Sequence, residues 1–167
     1  MLIDNIIKCP WHGANFDIET GLGDLYPSLD PLEKFEINEV NGQLEVLLPN
    51  EIKTRVSKMA KRDHSDKRCY VIVGGGPAAL TCAETLRQME YTGEVIILTE
   101  ENYVPYDRTN LTKWMPSGIE KIQLRSAEFL KEFDIDVRLK SKVLSINAET
   151  NSVQLLDGTI IVFIKIK

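Results

Sequence analysis

Tyr70-Val71-Ile72-Val73-Gly74-Gly75-Gly76-Pro77-Ala78-Ala79 decides the fold of this 167-residue chain. Four consecutive apolar residues without alternation predict a strand buried on both faces, as in a parallel sheet. Pro77 can open a helix without losing a needed hydrogen bond. Cys82, Leu86 and Met89 follow at i, i+4 and i+7 and predict the buried helix face, with Gly93 as the stop. Residues 94–99 (EVIILT) form the next buried strand. The order is β-α-β. Further on, a helix is expected over 126–133 with Ser126 as N-cap. Strands are expected over 143–147, 152–156 and 159–166, joined by turns at Asn151 and at Asp157-Gly158.

The glycine turn carries chemistry. Gly74, Gly76 and Ala79 read G-x-G-x-x-A between a strand and a helix. The first glycine allows the tight turn, Gly76 lets a pyrophosphate approach the backbone, and small Ala79 permits close helix–strand packing. The helix N-terminus turns unpaired N–H groups and the positive dipole end toward the phosphates. Glu100 closes the second strand, in reach of a ribose hydroxyl. NAD and FAD share this motif. The following loop, residues 103–113, adds Arg108 and Lys113, and a second set of cations suits a longer cofactor with a second ring system.

Pro105 to Lys113 reads P-Y-x-R-x-x-L-T-K. With the glycine turn, this stretch resembles the FAD domain of the pyridine-nucleotide-disulfide-reductase-like flavoproteins, in their ferredoxin-reductase and apoptosis-inducing-factor branches. Thr109-Asn110 departs from the family, which more often has proline there. The resemblance implies that Arg108 and Lys113 lie on FAD and that the strand beginning at Val143 supplies backbone contacts to the adenine. It also implies NAD(P)H as the hydride donor, with FAD releasing electrons singly to a further centre or carrier.

The first 50 residues differ in character. Asn41-Gly42 between two apolar runs predicts a hairpin with a type I′ turn, and Phe16-Asp17-Ile18 before Gly21 a weaker strand and turn. Cys9-Pro10-Trp11-His12-Gly13 sets a thiol and an imidazole at metal-ligand spacing. With residues 14–21, the Pro27 loop and the closing hairpin, this box resembles the second ligand box of Rieske [2Fe–2S] domains, in which each box supplies one cysteine and one histidine. The resemblance makes Cys9 and His12 the metal ligands. It also demands an upstream C-x-H, and the chain has only Cys69, Cys82 and His64 besides. Two of four ligands are therefore accounted for. The family's segment after the strand near Thr159 is also missing, so the chain reads as a window on a longer protein.

Between the two lies a stretch, residues 51–68, with seven basic and three acidic side chains. It reads as a solvated linker. The expected architecture is an α/β Rossmann-like FAD-binding domain, partial and βαβ, over 69–167, preceded by a small all-β Rieske-like piece over 1–50.

Composition bounds the function. Net charge −5, from 20 basic and 25 acidic residues, argues against a nucleic-acid binder. No apolar run is long enough for a membrane span. Three cysteines and no export signal suit an intracellular reducing compartment, cytoplasmic or mitochondrial. The leading expectation is an FAD-dependent NAD(P)H oxidoreductase exchanging electrons with a Rieske centre. A non-catalytic dinucleotide-binding module and a Cys/His metal-binding adaptor remain open. The electron-transfer partner and the oligomeric state are not legible.

Overall fold

The computed structural model describes residues 1–25, 28–52, 55–113 and 118–163. The Pro27 loop and the end of the last expected strand, residues 164–166, lie outside the described residues. The chain divides into two compact units, residues 1–58 and 59–167.

The first unit is all β. β1 (Leu2–Ile3), β2 (Ile6–Lys8), β3 (Asn15–Asp17) and β4 (Gly23–Leu25) form an antiparallel meander in that order. Gly21 turns β3 toward β4 at φ 72°, and Asp17 accepts from the Thr20 amide at 2.7 Å. β5 (Glu36–Val40) and β6 (Gln43–Leu47) pair as the expected hairpin, with Asn41 and Gly42 both at positive φ. Two successive positive φ values are what a type I′ turn needs. Arg55 belongs to this unit, because its guanidinium donates to the Thr20 carbonyl at 2.7 Å.

The second unit has three layers. β7 (Cys69–Val73), β8 (Glu94–Leu98) and β9 (Ile135–Arg138) form a parallel sheet ordered β7-β8-β9. α1 (Pro77–Gln88) connects the first two strands. α2 (Asn110–Lys113), a 3-10 turn (Ile119–Ile122) and α3 (Ala127–Glu132) lie between β8 and β9. Ser126 caps α3 as expected, accepting from the Phe129 amide. β10 (Val143–Asn147), β11 (Ser152–Leu155) and β12 (Ile160–Val162) form an antiparallel meander.

Alternation along the buried strands sorts the two cores. Val95 and Ile97 pack with Leu80, Ala83 and Leu130 of the helices. Ile96 and Leu98 pack with Val153, Leu155 and Ile161 of the meander. Period-two side chains on a sheet covered on both sides produce this division.

Four expectations are corrected. β7 is not buried on both faces: only Cys69 is buried, Tyr70 to Ile72 are half-buried and Val73 is 49% exposed, because among the described residues β7 is an edge strand of the parallel sheet while β8 is its covered centre. The buried face of α1 is Ala79, Leu80, Ala83, Glu84 and Arg87, whereas Cys82 is exposed and Met89 is 77% exposed. Small residues let the helix lie close to the sheet. Arg87 is fully buried because its guanidinium donates to four carbonyls, those of Phe133, Tyr91, Gly93 and Asp134, at 2.7–2.9 Å. A buried charge so satisfied is tolerated.

The helix stop is also displaced. Glu90 takes the left-handed conformation after the helix, at φ 62°. Gly93 serves packing instead, since a Cβ there would lie 2.5 Å from the Arg68 carbonyl oxygen.

The charged stretch is not one linker. Residues 51–58 go with the first unit and 59–68 with the second. Met59 is buried, the Ala60 amide donates to Arg87 O at 2.8 Å, and the Asp63 amide donates to Thr92 O at 2.8 Å. Backbone hydrogen bonds, invisible to composition, hold this charged sequence against the domain.

Candidate functional site

The carboxyl ends of β7 and β8 meet in register, Val73 opposite Leu98. The chain then turns through three glycines with three different demands. Gly74 stands at φ 116°, where L side chains rarely go, and its amide donates to Leu98 O at 2.8 Å. Gly75 lies against Thr99, and a Cβ on it would sit 2.4 Å from Thr99 Oγ1. Gly76 is the N-cap of α1 in an extended conformation, with no side chain capping the helix and open space where its Cβ would point. The twelve-residue α1 aims its positive end into that space. Among the described residues nothing lies within 4 Å of where a Gly76 Cβ would stand, which leaves room for a phosphate at the helix head.

Thr99 is 3% exposed and joins the turn to the next segment. Its hydroxyl accepts from the Glu101 amide at 3.2 Å, and its carbonyl accepts from Ser141 N–H at 2.7 Å. Glu101 O accepts from Lys140 N–H at 3.0 Å. Residues 140–142, leading into Val143, therefore run beside the end of β8. Val143 itself is half-buried against the meander core.

Two acidic residues follow Thr99. Glu100 pairs with Lys142 at 2.8 Å, and the ammonium group holds its carboxyl below the usual range. Both side chains are more than half exposed. Exposed pairs of this kind contribute little and exchange readily. Glu101 pairs with Arg108, whose guanidinium stands 5.7 Å from the Tyr106 ring centre. Asp107 accepts from Thr109 N–H at 2.9 Å and from the Asn110 side chain at 3.0 Å, starting α2. Lys113 sits exposed in α2.

The structure thus gathers Gly74, Gly76, Ala79, Glu100, Arg108 and the lead-in to Val143 at one edge of the parallel sheet. Lys113 ends α2, and among the described residues no contact fixes its side chain at that edge. Sequence reasoning missed Thr99 and Glu101. Their only signal is adjacency to the strand end, which does not say which side chain turns back.

Cys9 and His12 belong to the first unit, on the loop joining β2 to β3. The Cys9 amide donates to Ala14 O at 2.8 Å and Gly13 N–H to Cys9 O at 3.1 Å, with Gly13 at φ 79°. Trp11 is 86% exposed, its ring 6.2 Å from that of His12. Among the described residues, no group of three or more His, Cys, Asp or Glu converges as a metal site. The residues present do not fit a four-ligand [2Fe–2S] cluster. Among the described residues, no helix is long and apolar enough to cross a membrane.

Residues 68–161 match the pyridine nucleotide-disulphide oxidoreductase family. The chain is 34% identical over 160 residues to apoptosis-inducing factor 3 of Homo sapiens, covering 91% of this chain and 26% of that protein. It is 32% identical over 92 residues to the ferredoxin–NAD(+) reductase subunit of the benzene 1,2-dioxygenase system of Pseudomonas putida, covering 54% and 22%. Among solved structures, a ferredoxin reductase from Rhodopseudomonas palustris superposes with a TM-score of 0.52 at 28% identity, covering 56% of this chain and 24% of that one. The chain spans about a quarter of the length of these relatives.

Proposed function

The chain belongs to the pyridine nucleotide-disulphide oxidoreductase family, and from that premise we propose that its second unit binds FAD as part of an NAD(P)H-dependent electron-transfer flavoprotein. The observation that carries this reading is the open cradle at Gly76, at the head of α1 and beside the end of β8. Two of the relatives named above are ferredoxin reductases, which supports an electron-transfer role.

Each residue has a physical task in this reading. Gly74 makes the turn, and Gly76 admits the pyrophosphate to the backbone N–H groups. Ala79 keeps α1 close to the sheet, so its dipole reaches the phosphates. Glu100 leaves Lys142 to accept hydrogen bonds from the ribose hydroxyls, as a carboxylate suits. Arg108 and Lys113 supply positive charge farther along the cofactor. The backbone at Val143 borders the adenine. FAD, when bound, supplies two-electron acceptance from NAD(P)H and one-electron release. No residue of this chain is assigned to NAD(P)H. No step is assigned to an iron–sulfur centre, because Cys9 and His12 are half a ligand set.

A fluorescence titration tests the reading. Adding FAD to the purified chain should quench flavin emission saturably, at about one FAD per chain. No saturable quenching would refute the proposal. Bleaching by NADH or NADPH is not required of this chain, because none of its residues is assigned to the nicotinamide.

A further inference from the structure

Glu100 has the spacing suited to a ribose, and the sequence does not say what its neighbour Glu101 does. Their surroundings do. Glu100 is 62% exposed and touches only the exposed Lys142 among the contacts described for it. Glu101 is 28% exposed and held at three points. Its amide donates to Thr99, its carbonyl accepts from Lys140, and its carboxylate accepts from Arg108 Nη2. The neighbouring Glu101 carboxylate holds the Tyr106 phenol above its usual value.

Tyr106 is itself 9% exposed and fastened by a backbone bridge to Gln123. Its ring faces the Arg108 guanidinium. We propose that Glu101 is a positioning residue that, with Tyr106, seats Arg108 for the FAD phosphates or flavin rather than touching the cofactor itself.

The proposal rests on the FAD reading above. A free arginine loses much side-chain entropy when a ligand orders it. Arg108, with 53% of its side chain exposed, would bear that cost in full without the seat. Preorganisation removes it before the ligand arrives. A guanidinium has five donors, and one bond to Glu101 leaves the rest of the fork for an anion. Thr99 ties this seat to the Gly75 turn, so both parts of the ligand edge share one anchor.

A double-mutant cycle read by FAD affinity tests this in the full chain. Glu101→Gln should weaken FAD by about tenfold, the scale of one charge-assisted hydrogen bond. In the Arg108→Gln background the same change should have an effect below about twofold, because coupled residues are not additive. Tyr106→Phe should weaken binding about threefold and add nothing to Glu101→Gln. Glu100→Gln should instead multiply with Arg108→Gln, as an independent ligand does. If Glu101→Gln binds like the parent, or multiplies with Arg108→Gln, the seat is wrong. Should Glu101→Gln lower the melting temperature so far that binding is lost, Tyr106→Phe, which keeps the ring, decides by the same rule. If the parent chain binds no FAD, the cofactor reading itself falls, and the seat with it.

Discussion

Arg125 holds Glu84 at two points inside the second unit: Nε reaches Oε1 at 2.8 Å and Nη2 reaches Oε2 at 2.9 Å. The side chains are 9% and 5% exposed. The pair fastens the buried face of α1 to the residue just before the Ser126 cap of α3. The guanidinium also stacks 4.3 Å from the Phe129 ring centre. Removing one partner leaves a buried charge unpaired, so Arg125→Ala should cost about 3 kcal/mol in urea denaturation. Glu84→Leu with Arg125→Met should recover most of that loss, because the desolvation penalty of both ions disappears. A double variant as unstable as the single one would contradict this account.

The three glycines should separate under alanine substitution. Gly75→Ala drives a methyl into Thr99 and should cost about 2 kcal/mol by overpacking. Gly74→Ala forces a side chain into a left-handed conformation and should cost about 1–3 kcal/mol. Gly76→Ala meets open space at φ −94°, so its stability should change by less than about 1 kcal/mol. Its FAD affinity should nonetheless fall about tenfold, since the methyl stands where the pyrophosphate approaches. Thermal melts and flavin titrations on the same samples separate the two effects.

Two thiols of the Rossmann-like unit should behave oppositely. Cys82 is exposed on α1, whereas Cys69 is 7% exposed and burial lifts its thiol from 9.0 to about 11. Iodoacetamide at pH 8 should label Cys82 and spare Cys69, as read by peptide mass spectrometry. The sign of the linked stability follows. Above pH 9 the unfolded thiol ionises while the folded one stays protonated, so stability falls between pH 9 and about 11. Tyr91, raised to about 12, adds a similar loss only above its ordinary 10.0. Unfolding free energy, read by urea denaturation, should therefore decline less between pH 8 and 10 in Cys69→Val than in the parent.

Iron reconstitution checks the first unit. With Cys9 and His12 as half a ligand set, chemical reconstitution should leave well under one [2Fe–2S] per chain by iron and labile-sulfide assay. A stoichiometric cluster with visible-region absorption would show that ligands come from elsewhere, such as a second copy.

The elements were legible because their signals are local. The Asn41-Gly42 hairpin, the Ser126 cap, the Gly74 turn and the two parallel strands each depend on residues a few positions apart, although of the two strands only β8 is buried. The Cys9–His12 loop was equally legible as a loop. The face of α1 was not. Counting apolar residues selected Cys82 and Met89, yet the helix buries Glu84 and Arg87, whose charges are answered by Arg125 and by four carbonyls from distant segments. Glu84 and Arg87 share one face at i and i+3, a spacing that looks like a solvated pair until the partners are known.

Neighbouring residues alone specify a βαβ core with a glycine turn at a helix head, because backbone geometry and alternation are local properties. Long-range contacts instead set the place of residues 59–68 in the second unit, and the turn of Glu101 back to Arg108 while Glu100 faces outward. Those outcomes depend on which groups meet after the chain has folded, and on whether a buried charge finds its partner there.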